Sequence, residues 1–291
     1  MQNLIMKSKI DQSVNFIYDA NKIGYFESRF VRREDDYFII YVSSQSGCDQ
    51  ACRMCHLTAT GQNNLENATL EDFINQAKSV YDYYDQLNSP AKLVHYNFMA
   101  RGEPLNNPVV LNNNEELFDK FKKLAYERNL NAKYLISTIM PNSLGNKSLV
   151  NIFPRTYPEI YYSIYSTDER FRKKWLAKAL PYQRSLELLK EWQDYNGKIP
   201  KIHFAFIKGE NDKEEDMINI ANAINEVGLK VNINIVRYNP YSLKYGEESD
   251  EITINRNTKI LNELLKPESI RIVPKVGFDV KASCGMFIEK K

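Results

Sequence analysis

Short β-rich runs alternate with longer helical segments along most of this chain. Runs rich in Ile, Val, Phe and Tyr, bounded by polar or turn residues, predict strands over residues 36–43, 92–99, 133–138, 160–165, 201–207, 230–236 and 270–273. Helices are predicted over 69–87, 113–128, 183–195, 212–227 and 255–266, with a shorter one near 147–153. Six βα repeats in series indicate a parallel sheet covered by helices. Because eight units close a full barrel, six predict an α/β fold with an open, partial (β/α)6 TIM-like barrel.

Local signals support two of the helix ends. Thr69 followed by Asp72 resembles an N-terminal cap with a carboxylate three positions later. Gly228 lies where a helix would end on a glycine. We expect a single domain, with residues 1–35 as an N-terminal extension and residues 36–291 as the core domain with a C-terminal extension.

Composition limits the class of protein and its partners. The 291 residues are 43% hydrophobic and 26% charged, which excludes disordered and low-complexity classes. No apolar run approaches the ~20 residues of a membrane-spanning helix, and the N-terminus has no signal-peptide core, so we expect no membrane partner and a cytoplasmic location. With 39 basic and 37 acidic residues, the net charge of +2 does not indicate whole-chain electrostatic attraction to nucleic acid.

Three of the four cysteines lie within eight residues, as Cys48-x3-Cys52-x2-Cys55. In a cytosolic chain such a cluster indicates metal binding or chemistry rather than disulfides. Three thiolates facing one point can hold a four-iron cluster with one iron open to S-adenosylmethionine (SAM), as radical chemistry requires. The alternatives are a structural zinc site that adds His56 as fourth ligand, and free buried thiols. No second Cys-x2-Cys knuckle accompanies the first.

Residues that could take part in catalysis or ligand binding follow the ends of the predicted strands, where the active sites of such folds lie. The cysteine cluster follows the first strand and Gly102-Glu103-Pro104 the second, while Ser137 lies in the third. The segment Ser43-Ser44-Gln45-Ser46-Gly47-Cys48, with Ala59-Thr60-Gly61 after the cluster, resembles the radical SAM RNA adenine methyltransferases. The similarity continues in order through residues 98–105 (FMARGEPL), 137–138 (ST), 163–165 (SIY), 238–240 (YNP) and 279–285 (DVKASCG). It extends from about residue 14 to the C-terminus.

The resemblance implies a barrel of the radical SAM type with a [4Fe-4S] cluster on Cys48, Cys52 and Cys55. Gly102 and Glu103 would bind the SAM amino group, since a carboxylate pairs with an ammonium. The rest of the SAM site would be lined by Ser137, Ser163, Ile164, Tyr165 and Asn239. The implied partners are an RNA or nucleotide substrate and an electron donor such as flavodoxin or ferredoxin.

The resemblance also implies two catalytic residues. Cys284 would accept a methyl group from one SAM, and the radical from a second SAM would remove a hydrogen from that methyl. The carbon radical would then add to an electron-poor adenine carbon. Glu27 falls near the position of the family's proton-accepting glutamate. The alternatives are a small, partly buried apolar residue for Cys284 and a surface carboxylate on an edge strand for Glu27.

The chain departs from the family pattern at several points. Tyr41 occupies the place of the family's resolving cysteine, and Tyr165 that of a histidine. Two residues are inserted after Cys55, and the family's N-terminal RNA-binding accessory domain has no counterpart. Three hypotheses remain for turnover: release by an external thiol, a smaller or different substrate with the same first half-reaction, and arrest at a covalent adduct.

Other functions remain open from the residues alone. The enzyme alternative modifies a peptide or small metabolite without the Cys284 relay, and the last alternative is a non-catalytic metal-binding module. Two basic groups are candidates for phosphate contact or for solvated faces: Arg29, Arg32 and Arg33, and Arg170, Arg172, Lys173 and Lys174.

Overall fold

Ten strands form one sheet in which neighbours follow the order of the chain. The computed structural model describes residues 4–289. The strands are β1 (Leu4–Lys7), β2 (Val14–Asp19), β3 (Tyr25–Glu34), β4 (Tyr37–Tyr41), β5 (Leu93–Phe98), β6 (Asn131–Thr138), β7 (Glu159–Tyr162), β8 (Lys201–Phe204), β9 (Asn232–Val236) and β10 (Ile270–Val273). From β4 to β10 all pairings are parallel, whereas β1 to β4 pair antiparallel.

Helices connect the parallel strands. They are α1 (His56–Ala59), α2 (Leu70–Tyr84), α3 (Pro108–Asn112), α4 (Asn114–Tyr126), α5 (Leu149–Ile152), α6 (Glu169–Trp175), α7 (Tyr182–Asn196), α8 (Glu214–Glu226) and α9 (Glu251–Leu265), with short 3-10 turns at Pro104–Asn106, Asn142–Leu144 and Leu243–Tyr245. The predicted cap is confirmed: Thr69 and Asp72 form a reciprocal capping box at the start of α2. Gly228 follows α8 with a left-handed φ of 65°.

The predicted open barrel is confirmed. All seven predicted strands are present, and six helical crossovers join β4 through β10. Within residues 4–289, β10 pairs only with β9, so the parallel sheet curves without closing on itself. The carboxyl ends of β4 to β8 therefore meet at one rim, where the loops that carry the candidate residues begin.

The N-terminal segment extends this same sheet. No strand is predicted before residue 36, yet β2 and β3 form a long antiparallel pair, and β3 pairs with β4 through Phe30 and Ile40. Buried polar residues interrupt the apolar pattern of these strands, which hid them from sequence analysis. The edge-strand interpretation of Glu27 is wrong, because β3 lies between two strands and Glu27 is fully buried.

An aromatic layer fills the space between the sheet and its helices. Phe121 of α4 stacks on Tyr96 of β5 at a ring distance of 4.2 Å and contacts Phe98 at 6.2 Å. All three rings are buried. Burial of such rings supplies much of the free energy that holds a helix on a sheet. Among the described residues, none of the helices is both long and apolar enough to span a bilayer.

Truncation of this layer gives a test of the packing. We expect Phe121→Ala to lower the free energy of unfolding by about 3–5 kcal/mol, because the ring leaves a cavity between helix and sheet. Tyr126→Ala, which removes an 80% exposed ring from the same helix, is the control and should change it by about 0.5 kcal/mol or less. Urea unfolding of the two variants measures both values, and equal losses would contradict the assigned packing.

Candidate active site

A cavity lies at the carboxyl ends of the parallel strands. Nine of the residues that the sequence singles out line it: Cys48, Cys52, Cys55, Gly102, Glu103, Ser137, Ser163, Tyr165 and Cys284. The fold thus brings Cys284 to the same cavity as the cysteine cluster, although the two are remote in sequence.

A tightly folded loop after β4 holds the cysteine cluster. The backbone N–H of Cys48 donates to the Gln62 carbonyl, and that of Cys55 to the Cys52 carbonyl. A Cβ atom at Gly47 would lie 2.3 Å from the Asn64 carbonyl oxygen, so only glycine fits there. These contacts fix the loop against the segment that follows α1.

All three cluster cysteines are half-buried, free thiols. Burial raises the pKa of each thiol, and the neighbouring thiols raise the pKa of Cys48 and Cys52 further. Thiols that share one cavity and resist ionisation need a bound cation to become thiolates. The donor set therefore fits a metal-containing group that three thiolates can reach.

The zinc alternative fits the geometry less well. Within residues 4–289, no group of three or more Cys, His, Asp or Glu side chains is arranged to hold a single metal ion. His56, the fourth ligand in that hypothesis, directs its Nε2 at the Asn239 carbonyl at 3.0 Å and packs edge-on against Tyr241. The described side chains are therefore not arranged as a single-ion zinc site.

Glu103 places a buried carboxylate on the cavity wall. Its Oε1 accepts from the Leu105 N–H at 3.0 Å and its Oε2 from the Ile139 N–H at 3.2 Å. In the described part of the chain no cationic side chain lies within 4.0 Å of it. Burial outweighs these hydrogen bonds and raises the pKa of Glu103 to about 7. A ligand ammonium would supply the missing positive charge.

Gly102 lets the backbone pass close to the cysteine loop. Its φ is 92°, and a Cβ atom there would approach Ser44 Oγ to 2.6 Å and the Gln45 N to 2.7 Å. Any other residue would push this turn, and Glu103 with it, away from the loop. The glycine thus keeps the carboxylate at the cavity.

Two predicted SAM-site residues do not line this cavity. Ile164 is fully buried in the core, and its carbonyl accepts from Arg172. Asn239 lies behind the C-terminal segment, where its Nδ2 donates to the Cys284 carbonyl at 3.0 Å and to Ser283 Oγ at 3.1 Å. Through these two hydrogen bonds, Asn239 positions the segment that contains Cys284.

Glu27 lies outside the cavity, at the centre of a buried ion network. Its Oε1 accepts from Arg101 Nε at 2.7 Å and from the Ile288 N–H at 3.1 Å. Its Oε2 accepts from Asn15 Nδ2 at 2.9 Å and from Arg29 Nη2 at 3.2 Å. Burial by itself would raise the pKa of Glu27, but the two arginines and the hydrogen bonds hold it below the usual value.

This network anchors the C-terminal segment. Arg29 donates to the carbonyls of Ala282, Ser283 and Met286, and Arg101 donates to that of Ile288. A carboxylate with all its lone pairs engaged and a lowered pKa is a poor proton acceptor. The structure therefore does not place Glu27 to act on a molecule in the cavity, and its contacts describe a structural anchor.

Several known proteins are similar to this chain in sequence. No family model matches the sequence. A probable dual-specificity RNA methyltransferase RlmN of Parasynechococcus marenigrum is 24% identical over 264 residues, which cover 88% of this chain and 72% of that protein. The dual-specificity RNA methyltransferase RlmN of Aliarcobacter butzleri is 25% identical over 271 residues, 91% of this chain and 70% of the relative. Over most of its length this chain is similar to proteins named as RNA methyltransferases.

Solved structures agree on the fold. A radical SAM methyltransferase from Sphaerobacter thermophilus superposes with a TM-score of 0.76 and 17% identity, covering 98% of this chain and 80% of that one. HydG, a maturase of the [FeFe]-hydrogenase, gives a TM-score of 0.59 at 9% identity over 84% of this chain and 53% of its own. This chain therefore shares the open α/β barrel fold of these two proteins, and the relatives named above are enzymes.

The structure adds residues to this site that sequence analysis did not assign to it. Met99 and His203 line the cavity beside Cys284. In β8, Lys201 and His203 alternate with the apolar Ile202 and Phe204. That period-2 pattern was the available signal that His203 faces into the barrel.

We expect Glu27→Gln to lower the free energy of unfolding at pH 7 by about 3–5 kcal/mol, because it leaves two buried guanidinium groups without their carboxylate. Since the folded pKa of Glu27 lies below its unfolded value of about 4.3, its stabilisation is complete above that value and is lost as the pH falls through the folded pKa. The difference between wild type and variant should therefore shrink in acid.

Urea unfolding at a series of pH values measures this difference. Glu115→Gln, which breaks an exposed pair with Arg155, is the matched control and should cost about 1 kcal/mol or less. Limited proteolysis should cut the C-terminal segment of Glu27→Gln earlier than that of the control. A variant as stable as the control would show that the network does not anchor this segment.

Proposed function

We propose that this chain is a radical SAM methyltransferase that acts on adenine in RNA and carries the methyl group on Cys284. The observation that carries the proposal is the presence of Cys284, Glu103 and all three cluster cysteines on one cavity. Homology to proteins named as RNA methyltransferases supports the substrate class.

The residues of the cavity fit the proposed cofactors. Cys48, Cys52 and Cys55 would hold a [4Fe-4S] cluster, and Glu103 would pair with the SAM ammonium group while Gly102 admits it. When bound, the cluster supplies the electron that cleaves SAM to a carbon radical. Ser137, Ser163 and Tyr165 would bound the rest of the SAM site by packing or hydrogen bonding.

Cys284 must lose its proton before its Sγ can take a methyl group. Burial raises the pKa of this thiol to about 11, although Arg29 opposes the rise. The thiol is therefore protonated at neutral pH, and the Arg29 charge is the nearest stabiliser of a thiolate. Arg29 donates a hydrogen bond to the Ser283 carbonyl, and Asn239 donates one to the Cys284 carbonyl. These two bonds fix the backbone that carries Sγ.

Contacts with RNA would come from few of the basic residues first considered. Arg29 and Arg32 are buried and donate to backbone carbonyls, and Arg172 does the same in the second group. Arg170 and Lys173 are exposed on α6 and are the better candidates for phosphate contact. We propose a cytoplasmic location and a flavodoxin or ferredoxin as electron donor.

The decisive test is peptide mass spectrometry of Cys284 after the anaerobically reconstituted protein has been incubated with SAM carrying an isotopically labelled methyl group. We expect one labelled methyl on Cys284. An unmodified Cys284 in protein that still cleaves SAM would refute the relay and favour the alternative, modification of a peptide or small metabolite without it.

Two variants separate the parts of the site. Cys284→Ala should retain SAM cleavage to 5′-deoxyadenosine but lose carbon transfer, whereas Cys48→Ala should lose cleavage as well. Iron and sulfide content is the readout for the cluster: wild type and Cys284→Ala should each hold about four irons per chain. Methyl transfer by Cys284→Ala would exclude this cysteine as the carrier.

Glu103→Gln should weaken SAM binding about tenfold or more, because a neutral amide replaces the carboxylate opposite the ammonium. Equilibrium dialysis with SAM gives the affinity without turnover. The matched control is Glu66→Gln, which alters a carboxylate bonded to the Lys22 N–H outside this cavity and should bind SAM normally. Equal affinities for both variants would remove Glu103 from the SAM site.

A further inference from the structure

The concave face of the barrel is polar where such barrels are normally packed with branched apolar side chains. His95, Asn97, Tyr161, His203 and Asn234 project inward from successive strands. They line a second cavity. This interior cavity meets the candidate active site at only three shared residues, which are Met99, His203 and Cys284.

The charged residues that line the interior cavity are all basic. Its wall includes Arg29, Arg33, Arg237, Arg271 and Lys275, and no Asp or Glu among the described residues. Glu27 neutralises Arg29, and Glu248 neutralises Arg237 and Lys275. Within residues 4–289, no carboxylate lies within 4.0 Å of Arg33 or Arg271. The guanidinium groups of the half-buried Arg33 and the exposed Arg271 thus line the cavity without a carboxylate partner among the described residues.

Several polar atoms in this wall lack a hydrogen-bond partner. They are both ring nitrogens of His203, the Nε2 of His95 and the Nε of Arg33. His203 is only 7% exposed, and a buried polar atom without a hydrogen-bond partner is unfavourable. Water in the cavity could supply these hydrogen bonds, but an anion would also pair with the charges of Arg33 and Arg271.

The rings of His95 and His203 are uncharged and can donate hydrogen bonds. Burial lowers the pKa of both rings to about 3, and nearby Arg and Lys charges, including Arg33 and Arg271, lower it further. Each neutral ring can donate one N–H. Tyr37 stacks on His95 at 4.7 Å and adds a flat apolar surface to the wall.

We propose that the interior cavity binds a small organic oxyanion, with its carboxylate or phosphate between Arg33, Arg271 and His203. The two guanidinium groups and the histidine N–H are the donors that such a group prefers. Because the cavity ends at Cys284, the bound molecule lies against the proposed methyl carrier. Binding requires neither SAM nor cluster, so this site is independent of the proposed RNA methylation.

The test uses the full chain purified anaerobically, with all histidines carbon-13 labelled. The sequence has three histidines, so each ring signal can be assigned from single His→Gln variants. Inorganic phosphate and sodium acetate are titrated separately, with sodium chloride at equal ionic strength as reference. We expect saturable shifts of the His95 and His203 signals, while His56, which does not line this cavity, stays unchanged. Tighter binding of phosphate or of acetate distinguishes the two oxyanions.

Calorimetry on charge variants provides the second measurement. Arg271→Gln and Arg33→Gln should each weaken binding of the preferred anion about tenfold or more. Arg155→Gln removes the same charge from an 80% exposed side chain outside the cavity and should bind as wild type does. Loss of affinity in all three variants alike would indicate general charge attraction and overturn the proposal, as would the absence of saturable shifts at His95 and His203.

These outcomes are separable from those of the methyl-transfer test. A protein that binds the anion but leaves Cys284 unmethylated would keep the interior site and lose the relay. A protein that methylates Cys284 but shows no anion-dependent shift would keep the relay and lose the interior site.

Discussion

The Glu27 carboxylate and the two guanidinium groups around it join three parts of the chain that are remote in sequence. Glu27 and Arg29 come from β3, Arg101 from the loop after β5, and the carbonyls that the arginines bind come from the C-terminal segment. Such a cluster is costly to bury unless every charge is matched. Here the carboxylate accepts four hydrogen bonds, so its cost is offset only when all three parts are in place.

The position of Cys284 follows from that network. The segment from Val280 to Ile288 has no helix or strand, and arginine, asparagine and backbone donors hold it against the barrel rim. The His56 N–H also donates to the Gly285 carbonyl, which ties the segment to the cysteine loop. The thiol therefore faces the cluster cysteines because several polar contacts, rather than a packed element, fix its backbone.

The polar concave face gives the barrel two connected cavities instead of a filled core. The outer one has the donor set for a metal cluster and an ammonium, and the inner one has uncompensated guanidinium groups. Cys284 and His203 line both cavities. Tyr41, at the position where the resemblance to the RNA adenine methyltransferases predicts a resolving cysteine, lines the inner cavity with Cys284. A phenol there cannot form a disulfide, so release of any covalent adduct needs a different group.

The alternation of β-rich and helical runs determined the open barrel, because period-2 and period-3.6 patterns depend only on local sequence. The spacing Cys48-x3-Cys52-x2-Cys55 likewise predicted a metal-binding loop. Sequence alone missed β2 and β3, since buried Asn15, Glu27 and Arg29 look exposed until their partners are known. Only the tertiary structure separated the roles of Glu27 and Glu103. One carboxylate is matched by two arginines and the other by none in the described chain, and such pairing arises between residues that are distant in sequence.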